Sequence, residues 1–146
     1  MDAVWVDKLE IGTSVDTSTP PVWTYSRLCK GITGMTFAEN EQNQQNFFLC
    51  GEGFADNDVT GAAPELVVTG KRIVGDTAQD YVAGLQFKLG DERRGSVRVT
   101  TGGKQITCGC TFGNITSFGG NTLDQNAFGC TIRFNGKPTV TDEPTQ

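Results

Sequence analysis

Cys108 and Cys110 stand two apart in the run QITCGCTF, and thiols at i and i+2 of a strand share one face. With Cys130 brought up from a neighbouring strand, they have the donor type of a thiolate zinc site. Their register argues for another role. Ile106, Cys108, Cys110 and Phe112 alternate with Gln105, Thr107, Gly109 and Thr111, and the run AFGCTIRF repeats the pattern with Phe128, Cys130, Ile132 and Phe134. Small thiols in that company behave as core hydrophobes. The chain has no His, which removes the commonest zinc ligand and the commonest general base.

Other chemistry fares no better. There is no GxSxG elbow, and a Ser–His or Cys–His pair cannot be built. Glu39, Glu41, Glu52, Asp56 and Asp58 offer carboxylate pairs of the kind a glycosidase uses, but Trp5 and Trp23, the candidate sugar platforms, lie far upstream. Neither GEGFADNDVTG nor GGNTL fits the GxxxxGK[ST] phosphate loop, and DNDVTG lacks the Glu that closes an EF-hand. No catalytic residue, metal or cofactor is expected.

At 146 residues the chain should be one domain spanning 1–146, since two would each be too small to bury an adequate core. Nineteen Gly and five Pro favour short strands and many turns over long helices. No apolar run approaches the 18 or so residues of a membrane helix, so no membrane role is expected. The opening MDAVWVDKLE shows neither a basic nor an apolar leader region, so Sec export is not expected and the five Cys should be reduced. A net charge of −5 argues against general binding to duplex DNA, because phosphate affinity comes from Lys and Arg.

The elements that position these residues read as follows. Residues 3–11 form a half-buried strand, 12–21 a Ser/Thr/Pro loop, and 22–28 a strand alternating Trp23 and Tyr25 with Thr24 and Ser26. ITGMTFAE and NFFLC are short strands joined by a projecting polar loop at 40–46, followed by an acidic Gly-rich loop. PELVVTGKRIV alternates as a strand. Asp76 and Gln79 then resemble a capping box for a short helix near 76–85, whose end should pass into a strand. Three more strands follow, and 137–146 should be an extended tail with little structure. The fold class is mainly β, an antiparallel β-sandwich or barrel with one short α-helix. Six acids (Glu39, Glu41, Glu52, Asp56, Asp58, Glu65) occur between 39 and 65 with no Lys or Arg among them, a concentrated negative field.

The runs GITGMTFAENEQN, LCGEGFADNDVTG and VTGKRIVGDTAQDYV together resemble the tail tube (major tail) proteins of long-tailed bacteriophages and phage-tail-like particles. The likeness extends from about Gly31 to Pro138, is most specific in GKRIVGDTAQDY, and is loose over the first 30 residues. It implies a noncatalytic virion protein, made in the bacterial host cytoplasm, whose hexameric rings stack into a hollow tube. The implied partners are further copies of the chain, sheath, tape-measure and tail-terminator proteins, and DNA that passes through the lumen without specific binding. By the same resemblance, Asn40, Gln42, Asn43, Gln44 and Gln45 belong to a long loop that packs on neighbouring subunits or the next ring, and the termini, with Pro138 and Val140, are contact arms. An acidic wall suits such a lumen, since carboxylates repel phosphate whereas Lys would trap it; Glu39, Glu41, Glu52, Asp56 and Asp58 are the lumen-facing candidates. The runner-up that the resemblance admits is the inner tube of a contractile injection, type VI-like or bacteriocin particle. A carbohydrate-binding β-sandwich, monomeric and with an aromatic platform, is the rival of a different class.

Overall fold

A computed structural model describes residues 7–16 and 22–142. Seven strands form one antiparallel sheet in the order β2-β1-β7-β8-β9-β6-β3. They are β1 (Lys8–Asp16), β2 (Val22–Arg27), β3 (Ile32–Ala38), β6 (Glu65–Lys71), β7 (Arg94–Thr101), β8 (Lys104–Thr116) and β9 (Ala127–Asp142). A separate two-stranded sheet pairs β4 (Gln42–Phe47) with β5 (Ala55–Gly61), and α1 (Thr77–Ala83) is the single α-helix among the described residues.

The large sheet cannot be flat. β2 and β3 are its two edges, yet residues 28–31 alone connect them. Five peptide steps reach at most about 18 Å, whereas six strand spacings laid flat would separate the edges by about 29 Å. The sheet therefore curls until its edges approach, giving the barrel-like architecture, and the curl encloses the core. Period-2 alternation turns Leu9, Ile11, Leu66, Val68, Val97, Cys110, Phe112, Phe128, Cys130 and Ile132 inward. The helix packs against β1, β2 and β8 and adds Ala78 and Val82, with Leu85 just beyond it. Each large side chain so buried contributes about 1.5–3 kcal/mol. Ile106 and Phe134, of the same inward register, are only half-buried because the sheet is open at that end.

Two glycines permit the close approach of β6 to the link at the start of β3. Gly31 has φ +80°, and a Cβ there would stand 2.5 Å from the Lys71 carbonyl oxygen. A Cβ on Gly70 would collide with the Gly31 carbonyl. Their close approach lets the Lys71 N–H donate to the Gly31 carbonyl at 2.7 Å. Asp76 caps α1, its carboxylate accepting from the Gln79 N–H at 3.2 Å.

Several boundaries differ from those read in the sequence. Residues 12–16, expected in a loop, continue β1, paired with β2 on both sides of a register shift at Thr13; Trp5 and 17–21 lie outside the described residues. The polar stretch 40–46 is not a loop: 42–47 is β4, and much of the acidic Gly-rich segment is β5. The strand expected over 46–50 ends at Phe47 and gives way to a 3₁₀ turn at Leu49–Gly51. After α1 no strand begins. Successive turns carry 84–89, and the Arg93 guanidinium donates to the carbonyls of Gln86 and Lys88, which a strand would have paired. The expected tail at 137–146 is a strand as far as Asp142, paired as Ile106↔Val140 and Lys104↔Asp142, with the Lys104 and Asp142 side chains in an ion pair. Pro138 is accommodated because it falls at a register shift opposite Cys108, where no ladder N–H is required. Residues 143–146 lie outside the described residues.

Candidate assembly surface

Among the described residues the β4–β5 hairpin is tied to the rest of the fold at its base. There Asn40 takes a left-handed φ of 50°, its side-chain amide donates to the Ala63 carbonyl at 3.1 Å, and the Ala63 N–H donates to the Glu39 carbonyl at 2.9 Å. Beyond that, Asn43↔Val59, Gln44↔Asp58, Gln45↔Asn57, Asn46↔Asp56 and Phe47↔Ala55 face each other across the ladder. Alternation places Gln44, Asn46, Asp56 and Asp58 on one face and Asn43, Gln45, Phe47, Asn57 and Val59 on the other. Almost all of these side chains are exposed. A two-stranded hairpin with neither face covered is marginal in water, so this one is a poor end in itself and a good arm for an assembly.

Its tip is apolar. Phe47, Phe48, Leu49 and Phe54 are 68, 56, 104 and 78% exposed. The turn that presents them is ordered by the Gly51 N–H on the Phe48 carbonyl and the Phe54 N–H on the Gly51 carbonyl, both 3.0 Å, with Glu52 and Gly53 at positive φ.

The acidic candidates gather on this hairpin and its base rather than along a sheet wall. Glu39 and Glu41 flank Asn40, Glu52 sits at the tip, Asp56 and Asp58 share a face of β5, and all five are exposed. Among the described residues none of the five has an ion-pair partner; Glu65 does, its carboxylate lying 3.8 Å from the Arg133 Nε. Hydrogen bonding to Glu41, and then its like charge, raises the Glu39 carboxyl above its usual range. The expected contact residues divide. Asn40, Gln42, Asn43, Gln44 and Gln45 belong to the hairpin, whereas Pro138 and Val140 line an open apolar groove.

That groove, about 880 Å³, is the end of the curled sheet left unfilled by the described residues. Met35, Phe37, Leu66, Val99, Ile106 and Phe134 form its walls, and Asp7, Glu39, Lys137 and Val140 stand among its other lining residues. The Phe37 and Phe134 rings pack with centroids 6.0 Å apart, yet Phe37 remains 55% exposed. The groove's signal lay in the inward register of Ile106 and Phe134. That neither residue would find cover could not be read from the sequence.

The thiols are placed for packing. Cys108, Cys110 and Cys130 are buried, and burial drives the Cys110 and Cys130 thiols up to about 12. Burial also raises Cys108, whose Sγ donates to the Asn135 carbonyl at 3.4 Å. A neutral thiol is neither nucleophile nor ligand. Among the described residues no three His, Cys, Asp or Glu side chains converge as a metal would need, and no helix is long and apolar enough to cross a membrane.

No protein-family model matches the sequence, and no curated protein matches it. Among solved structures it is similar to a chain in the tail of an empty GTA (gene transfer agent) particle determined by helical refinement with C6 symmetry. The TM-score is 0.74 at 10% identity, over 97% of this chain and 99% of that one. The chain has the fold of a phage-like tail protein.

Proposed function

We propose that the protein is a structural subunit of a phage-like tail tube, assembling as six-membered rings that stack into a hollow conduit for DNA. The observation that carries this is an exposed arm, the β4–β5 hairpin with its apolar tip, on a fold shared over 97% of the chain with a protein of a C6-symmetric tail. A heterologous contact repeated around a closed rotation makes a ring, and rings with matching faces stack. The subunit performs no reaction; its work is self-association. The Gln44, Asn46, Asp56 and Asp58 face of the hairpin, with Glu39 and Glu41 at its base, supplies carboxylates to the bore, where they keep DNA sliding. Assembly then takes place in the host cytoplasm and the product is part of the particle.

Negative-stain microscopy of the concentrated protein tests this. Hollow rods or six-membered rings are expected. Replacing residues 42–60 by a short Gly-Ser turn should leave a folded monomer that forms neither. Persistent monomers of the intact chain at every concentration would sink the reading, and normal rods from the hairpin-less variant would remove the hairpin from it.

A further inference from the structure

Among the described residues the chain carries an apolar knob and an apolar hole that do not meet within one molecule. Glu39 and Ala62, at the hairpin base, are also lining residues of the groove. From there β4 runs outward for six residues, about 20 Å at strand rise, and Leu49 at the tip is 104% exposed, touching nothing in its own subunit. The groove stays open at one end of the barrel while the side chains suited to fill it are held a hairpin's length away.

From this we infer that the Phe47, Phe48, Leu49 and Phe54 tip of one copy seats in the Phe37, Ile106, Phe134 and Val140 groove of the next, head to tail. The inference rests on the self-assembly reading above and names the contact that drives it. Large apolar side chains left in water on both surfaces supply the energy; of the charged groove residues Asp7, Glu39 and Lys137, Lys137 is the one opposite in sign to Glu52 between Leu49 and Phe54. A small ligand in the groove would leave the apolar tip in water, whereas a second copy covers tip and groove together. Because knob and hole are different surfaces, each copy offers one of each, and the contact propagates instead of ending at a dimer.

Cys50 lies exposed in the tip turn and supplies the test. Val140→Cys protein, under conditions that give rods or rings, is treated with a short bismaleimide; a covalent ladder extending beyond the dimer is expected. It should be lost in the Cys50→Ser/Val140→Cys variant and be absent from wild type. Lys137→Cys serves as a second groove position should Val140→Cys fail to assemble. Phe48→Ser/Leu49→Ser should raise the critical concentration for assembly at least tenfold with an unchanged thermal midpoint. Rods without a Cys50-dependent ladder from either groove position overturn the knob-in-hole contact and leave the tube reading standing. A ladder that stops at the dimer overturns its head-to-tail form. Intramolecular linkage in Val4→Cys/Val140→Cys/Cys50→Ser protein, together with no Cys50-dependent ladder in Val140→Cys protein, assigns the groove to the chain's own first residues and overturns it too. Failure of wild type to form rods or rings removes the tube reading and this contact with it.

Discussion

The Gln79 side-chain amide, buried at the start of α1, donates to the Lys30 carbonyl at 2.8 Å and so ties the helix to the short link between the two edge strands. The same amide donates to the Lys71 carbonyl at 3.0 Å, and its oxygen accepts the Ile73 N–H at 2.8 Å. One side chain thus satisfies three backbone groups, one from the link between the edge strands and two from the end of β6 and the turn after it. Gln79→Leu keeps much of the volume and leaves two carbonyls and an N–H without partners, each worth about 1–3 kcal/mol when buried. A loss of about 3–5 kcal/mol is expected from urea unfolding midpoints. A loss under 1 kcal/mol would mean that water reaches the site.

Asp80 answers to acid. The Arg72 guanidinium, 2.8 Å from its carboxylate, is the main reason its carboxyl lies below the ordinary range, and the Gly75 N–H adds to the effect against some desolvation. A depressed folded-state value contributes stability above the unfolded value, near 3.9, that is lost as pH falls through the folded one. Asp80→Asn should therefore be less stable than wild type at pH 7, and the gap should narrow below about pH 4. Paired urea titrations at the two pH values measure it; a gap that does not change with pH would show that the ion pair contributes nothing.

The helix start was legible because capping chemistry is local: Asp76 and the Gln79 N–H meet within one turn. The inward register of Cys108 to Phe112 and of Phe128 to Ile132 was legible because burial on one face writes a period of two into the sequence. β4 wrote no such signal. With QNQQNF exposed on both sides, backbone pairing to β5 is what makes it a strand, and hydrophobic periodicity has nothing to detect. The last residues of β9 were hidden for a similar reason, since Pro138 and Gly136 punctuate a strand that resumes after its irregularity. The segment after α1 erred the other way. Tyr81, Ala83, Leu85, Phe87 and Leu89 alternate, but Phe87 and Leu89 are over 80% exposed, and Arg93 on the Gln86 and Lys88 carbonyls holds turns there instead. Such long-range side-chain to backbone bonds leave no local trace.

The thiols should separate into two classes. Cys29 and Cys50 are exposed, while Cys108, Cys110 and Cys130 are buried, so a thiol reagent should titrate two of the five quickly in native monomer and the rest only on unfolding. Burial raises the Cys110 and Cys130 values from 9.0 to about 12. The protonated form is therefore favoured in the fold, and the associated stability is present below pH 9 and lost between about pH 9 and 12. Each thiol then costs up to about 1.4 kcal/mol per pH unit across that window. Cys110→Ala/Cys130→Ala, although less stable at pH 7, should unfold with a shallower alkaline slope. An unchanged slope would show that these thiols ionise as freely in the fold as outside it.

The acidic face of the hairpin can be tested by reversing its sign. Asp56 and Asp58 share that face with Gln44 and Asn46, and among the described residues neither is in an ion pair. If they line the bore, rods of Asp56→Lys/Asp58→Lys protein gain twelve positive side chains per six-membered ring, two from each of six copies, in place of carboxylates. Duplex DNA should then be retained inside such rods, protected from nuclease, with retention falling steeply as salt rises because counterion release drives the binding. Wild-type rods should retain none. DNA that decorates the variant rods but stays open to nuclease would place the two positions on the outer surface, and the repulsive lining of the bore would have to be sought on another strand.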